Sequence, residues 1–349
     1  MSRAEENLTN FRALAEISSE RAELDLPEMG ACILCSGSLE TCVSGLFDTR
    51  FGINGTYEVG RCRNCGLEQM FPVPAPAELK SLYESYYNFG GEKGTLYTNL
   101  REWFYSSFFY RIWIHLDGDL SFHGRTGTGR LLDIGCNEGR GLKIYARNGF
   151  QVEGLELNET AAAVARETGF TVHACDLRHF KSSALYDVVV LSNVLEHLPD
   201  PRQMLLDVRR NLRPGGQVWI SCPNSQSWLR RVFGSSWINW HVPFHISQFS
   251  IQTLRSLLSE AGFRIIETRQ VTPALWVSAS LIAKLFAKRG RTTKELRNSV
   301  LMLGLLMVSR FVFFPILWLG NRWGRGDCLL ISAKSSQCFP PSFRISDLT

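Results

Sequence analysis

Residues 131–139 run Leu-Leu-Asp-Ile-Gly-Cys-Asn-Glu-Gly. Leu131, Leu132 and Ile134 form a short apolar run of the kind that fills a buried strand. Gly135 and Gly139 bracket a tight turn, and the residues beyond it carry helical spacing. Small residues in such a turn let the backbone come close to a ligand. The helix that follows offers N–H groups without intrahelical partners. A glycine-rich turn alone is a weak signal, so its surroundings have to support it.

They do so on both sides. Apolar runs recur at 130–135, 151–156, 171–175, 187–192, 217–222, 263–271 and 328–333, with helical segments at 139–148, 159–168, 200–212 and 250–261. Pro214-Gly215-Gly216 reads as a turn before a strand. The alternation predicts an α/β fold, a doubly wound Rossmann-like sheet with helices on both faces. Glu156 closes the second run, where a carboxylate can accept both hydroxyls of a ribose. Asp176 and Leu177 follow the third, where a polar and an apolar residue can frame an adenine. A dinucleotide fingerprint would require G-x-G-x-x-G. Here the spacing is Gly135-x-Asn137-x-Gly139 with Asp133 just ahead, and an acidic group suits a cationic ligand better than a diphosphate.

The segments LLDIGCNEG (131–139), VEGLEL (152–157), ACDL (174–177), YDVVVLSNVLEHLPDP (186–201) and NLRPGG (211–216) together resemble the class I S-adenosylmethionine-dependent methyltransferases. The chain also resembles the ubiquinone-type O-methyltransferases and methyltransferases of cell-envelope polysaccharide clusters. The resemblance implies a seven-stranded sheet with its last strand antiparallel, and S-adenosyl-L-methionine as cofactor. It implies that Asp133, Gly135 and Gly139 line the methionine end, Glu156 holds the ribose, Asp176 and Leu177 flank the adenine, and Asn137 and Asn193 also bind the cofactor. For Asp133 the alternative is a loop-stabilising carboxylate. The family usually has glycine where Asn137 stands. Asparagine tolerates the left-handed conformation better than most residues.

Ten cysteines include two C-x-x-C pairs, Cys32/Cys35 and Cys62/Cys65, 26 residues apart. Four thiolates on two knuckles satisfy a tetrahedral Zn²⁺ and leave no open position, so the predicted zinc is structural. Cell-envelope relatives similarly carry an N-terminal zinc ribbon ending C-x-x-C-G-L, here residues 62–67. The expected organisation is an N-terminal helix (1–28), a zinc ribbon (29–72), an aromatic helical linker or lid (73–125), the methyltransferase domain (126–335) and a tail (336–349). The N-terminus shows no basic segment followed by an apolar one, and a cytoplasmic, reducing location is expected. Net charge is +5 with 45% hydrophobic residues. That balance excludes a disordered chain and is too mild to indicate nucleic acid.

Methyl transfer to a hydroxyl needs a base. The candidates are His197, after the fourth strand, and His241 and His245 in the aromatic run 237–245. The alternative is that these histidines shape the pocket. Residues 274–319 form the most apolar region, ALWVSASLIAKLFA (274–287) and SVLMLGLLMVSRFVFFPILWL (299–319), around a basic turn with Lys288, Arg289, Arg291, Lys294 and Arg297. Strands on either side belong to one sheet, so the insertion has to return to the side it left. An interfacial or re-entrant helical pair on anionic lipid is expected. The alternative is a helical cap or an oligomer contact. The expected acceptor is a lipid-linked sugar or prenylated small molecule, O-methylated at the cytoplasmic membrane face. Carbon methylation of a nucleotide-linked deoxysugar and a non-catalytic cofactor-binding scaffold are the alternatives.

Overall fold

The computed structural model describes residues 30–86, 96–182, 184–293 and 304–336. The expected N-terminal helix, almost all of the tail, and Lys294 and Arg297 lie outside the described residues.

Three antiparallel strands open the chain: β1 (Leu39–Leu46), β2 (Tyr57–Cys62) and β3 (Glu68–Phe71). The aromatic stretch forms three helices: α1 (Pro76–Tyr86), α2 (Leu96–Ser106) and α3 (Phe108–Asp117). The alternating region follows as β4 (Arg130–Ile134), α4 (Arg140–Arg147), β5 (Gln151–Leu155), α5 (Glu159–Arg166), β6 (Thr171–His173), β7 (Tyr186–Ser192), α6 (Pro201–Asn211) and β8 (Leu212–Pro223). Then come α7 (Trp228–Phe233), β9 (Ser247–Gln248), α8 (Ile251–Glu260), β10 (Phe263–Val271), α9 (Ala274–Phe286), a helical segment Gly304–Val312, α10 (Phe314–Arg322) and β11 (Cys328–Ser335).

The large sheet has the order β10-β11-β8-β7-β4-β5-β6. Strands β4 to β8 pair in parallel, and β11 runs antiparallel to both β8 and β10. This is the seven-stranded order expected, with the last strand reversed. Leu131 and Leu132 show why the strands are apolar throughout: successive side chains face opposite sides of the sheet, and both sides are covered. Leu132 joins Val189, Ile220 and Ile331 in a core with α6 and α8. Leu131 joins Val188, Val190 and Trp219 on the other face, against Phe122 and Tyr145. The Pro214-Gly215-Gly216 turn is absorbed into β8, whose pairing with β7 shifts register between Tyr186 and Val188.

The cysteine module is not a separate bead. Strand β9 lies beyond β8 in the chain, yet it pairs with β3 as the fourth strand of the small sheet. Cys32, Cys62 and Leu67 are buried in the same core as Leu132 and Ile220. The basic turn also packs on this module. Thr293 N–H donates to the Arg50 carbonyl at 3.1 Å, and Phe51 bridges to Thr292, while Lys288, Arg289 and Arg291 stay exposed.

Candidate active site

The turn after β4 is built from left-handed residues at every second position: Gly135 (φ 74°), Asn137 (φ 49°) and Gly139 (φ 75°). Asn137 thus takes the conformation for which glycine is the usual choice. The turn is fastened by Glu156, whose Oε2 accepts the Asn137 N–H at 2.9 Å while Oε1 accepts the Asn158 N–H at 2.9 Å. Each carboxylate oxygen keeps a lone pair for a further donor. A side chain at Gly139 would meet Ala165 of α5 at 3.0 Å, so that glycine allows the helices to approach. A Cβ at Gly135 would meet only Val194, at 3.0 Å.

Asp133 is buried beneath this turn, and burial, with the charge of Glu156 beside it, pushes its carboxyl up to about 7. Asn193 follows β7 in a left-handed conformation. Its N–H donates to the Ser221 carbonyl, but its buried Oδ1 has no partner. A carboxylate that gains from a nearby cation and an orphaned buried acceptor, around a turn of left-handed residues, fit a cationic amino-acid ligand such as the methionine end of S-adenosylmethionine. Asp176 lies after β6, its Oδ1 accepting the His179 N–H at 2.9 Å. Leu177 beside it is buried, its side chain in the main core. The N-terminal helices close over the turn through Glu102 of α2, paired with Arg140 at 3.3 Å and Lys143 at 3.7 Å.

The three candidate bases converge. The rings of His197 and His245 lie 4.5 Å apart and those of His241 and His245 4.9 Å apart. His241 and His245 lie in the buried run 237–245, which is held from below. Asp327 accepts hydrogen bonds from Trp237 Nε1 at 2.8 Å and Asn239 Nδ2 at 3.1 Å. Asn239 in turn offers its carbonyl to His245 Nδ1 at 2.8 Å. Burial pushes His197 down to about 4 and His245 well below the ordinary imidazole value, so both are neutral at pH 7. Glu196 is buried beside them with both carboxyl oxygens unpartnered, and burial pushes it up to about 8. Ligand atoms of Glu196, His197 and His245 lie within 4.8 Å of one another, a donor set that a divalent cation accepts.

Residues outside the candidate set surround this cluster. Arg50 reaches His241 at 3.5 Å from the loop of the cysteine module. Phe51 meets Phe244 edge-on at 5.7 Å and Tyr86 at 5.5 Å. Tyr83 of α1 contacts His197 Nδ1 at 2.8 Å. The loop is shaped by buried Asp48, which accepts the N–H groups of Arg50, Phe51 and Ile53. An acidic residue two ahead of Arg50 is the one local signal; nothing local links it to a histidine 191 positions on.

The four cysteines also converge, their sulfurs all within 4.8 Å. Cys32 and Cys65 approach to 3.5 Å, Cys35 and Cys62 to 3.4 Å. A tetrahedral site with Zn–S bonds of about 2.3 Å needs sulfurs about 3.8 Å apart. Burial pushes the Cys32 and Cys65 thiols up, so holding four thiolates here requires a cation.

Residues 118–268 match a family profile described as a methyltransferase domain. The ubiquinone biosynthesis O-methyltransferase of Pectobacterium atrosepticum is 34% identical over 124 residues, which cover 33% of this chain and 52% of that protein. That of Yersinia enterocolitica is 32% identical over 140 residues, covering 37% and 58%. The chain spans about half the length of the curated relatives it matches. A solved Thermotoga maritima structure, an S-adenosylmethionine-dependent methyltransferase described as a possible histamine N-methyltransferase, is 17% identical with a TM-score of 0.44, covering 74% of this chain and 100% of that one. Residues 118–268 thus carry a methyltransferase domain, on a sheet with the strand order of the S-adenosylmethionine-dependent methyltransferases.

Proposed function

We propose that this protein methylates a hydroxyl of a lipid-linked sugar or prenylated small molecule, with S-adenosylmethionine as methyl donor, at the cytoplasmic face of a membrane. The observation that carries the reading is the turn Gly135–Gly139, fastened by Glu156 over buried Asp133 and followed at the next strand end by a cluster of neutral imidazoles.

Asp133, Asn193 and the turn would hold the amino-acid end of the cofactor, Glu156 the ribose hydroxyls, and Asp176 with Leu177 the adenine. When bound, the cofactor supplies an electrophilic methyl group on a sulfonium. The protein supplies alignment, exclusion of water and a place for the acceptor's proton. His245 and His241 are the proposed bases. His245 Nδ1 is engaged by the Asn239 carbonyl, which sets the tautomer that leaves Nε2 to receive a proton. Tyr83 and the Phe244 carbonyl hold His197 Nδ1, which makes His197 a pocket wall and a second proton site. Arg50 and Phe51 place the cysteine module at the pocket, and the proposed zinc would keep their loop in position.

Methyl-labelled cofactor, incubated with the protein and a panel of polyprenyl-linked sugars and prenylated phenols, tests the reading. Label should pass to a hydroxyl, and His245→Gln should lower turnover about 10²–10⁴-fold with cofactor affinity held. Cofactor binding without transfer to any member of the panel would overturn the acceptor class. Full activity in both His241→Gln and His245→Gln would remove the base.

A further inference from the structure

We infer that Gly304–Val312 and α10, with the basic residues at their rim, form a docking surface for an anionic lipid bilayer, entering one leaflet without crossing it. The inference deepens the reading of a membrane-delivered acceptor and names the partner of that site.

The two segments bend by 62° at a break around Phe313. Each arm spans nine residues, about 14 Å, against a hydrocarbon core of about 30 Å. Among the described residues no single helix is long and apolar enough to cross. Yet the bend presents large side chains outward. Phe311, Val312, Ile316, Trp318 and Trp323 are each about half exposed or more, with Trp323 at 74%. A packed cap would bury such residues.

Charge selects the occupant. Among the described residues from 304 to 325 the exposed charges are Arg322 and Arg325, and no acidic residue occurs. Lys284 and the turn residues Lys288, Arg289 and Arg291 are likewise exposed and basic. A second copy of this face would set arginine against arginine across a two-fold axis. Anionic headgroups complement it. Arg310, the one basic residue inside the apolar arm, is turned inward to Asp117 at 3.5 Å, which removes its charge from the surface and pins the arm to α3.

The surface is joined to the histidine run. The insertion leaves the sheet at the carboxyl end of β10, the edge that also carries the turn after β4 and His197 after β7. Ser280 of α9 accepts the Ile238 N–H at 3.1 Å, and Asp327, where the insertion ends, holds Trp237 and Asn239. A molecule anchored in the leaflet would meet the histidine run at the rim of the docked face.

Flotation with vesicles tests this. The full chain should float with phosphatidylcholine mixed with phosphatidylglycerol and far less with phosphatidylcholine alone. Arg322→Gln with Arg325→Gln should weaken partition about fivefold per charge, as high salt should. Phe311→Ser with Trp318→Ser should abolish it. Calorimetric affinity for S-adenosylmethionine, unchanged in both double variants, shows that they fold and separates this inference from methyl transfer. Failure of the wild-type chain to float, or flotation untouched by both double variants, overturns it. So does a dimer that Phe311→Ser with Trp318→Ser converts to monomers, since that would assign the face to a second copy.

Discussion

Asp133 links cofactor binding to pH. Burial and the nearby Glu156 charge raise its pKa to about 7, so near neutrality the free protein holds it about half protonated. A cationic ligand binds the ionised form and lowers that pKa. Affinity for S-adenosylmethionine should therefore rise as pH increases, by up to about tenfold per unit below pH 7, and level off above it. Calorimetric titrations from pH 5.5 to about 8.5 check this. In Asp133→Asn the affinity should be lower and the slope gone. A flat profile in the wild type would return Asp133 to a loop-stabilising role.

The elements differ in what their glycines do. At Gly139 a methyl group would press on Ala165 of α5, including its Cα at 3.3 Å, in a left-handed backbone. Gly139→Ala should cost about 1–3 kcal/mol, a fall of roughly 1–4 °C in melting temperature. Gly135 shares the left-handed strain but meets only the Val194 side chain, so Gly135→Ala should cost less stability than Gly139→Ala and more cofactor affinity. Melting curves and titrations of the two variants separate the roles, and identical profiles would contradict them. Much of this level was legible in the sequence. The strands read as apolar runs because both faces of the sheet are covered, and α6 starts where Asp200 caps it ahead of Pro201. Local pattern failed where tertiary pairing decides. Gly215 and Gly216 looked like a turn but sit inside β8, because β7 accommodates the irregularity. In the apolar stretch 299–319 the sequence points to a re-entrant pair, and the described part does bend, by 62° before Pro315.

At the scale of the whole molecule, the cysteine module and the methyltransferase sheet share a core through Cys32, Cys62 and Leu67 and share a sheet through β9. Loss of the proposed zinc should therefore not produce a small separate transition. Calorimetry with a chelator, or on Cys62→Ser, should show one transition at lower temperature, with acceptor turnover falling as Arg50 and Phe51 lose their support. A main transition that ignores the chelator would mean that the module folds apart. This coupling was beyond sequence reading for a physical reason. Hydrophobic period and knuckle spacing are local, whereas the contact of Arg50 with His241 and the pairing of Glu68 with Gln248 each join positions some 180–190 residues apart.

That last pairing bears on how the chain is made. The edge of β3 leaves the ribosome about 180 residues before the strand that covers it, a delay of roughly 10–35 s at ordinary elongation rates. Through that interval the nascent module presents an unpaired strand edge to every other growing chain nearby. Glu68, deeply buried in the finished protein between Arg61 and Arg230, keeps that edge charged until Arg230 and then Gln248 arrive. A carboxylate that ends in the interior thus spends most of that interval with only one of its two arginine partners made.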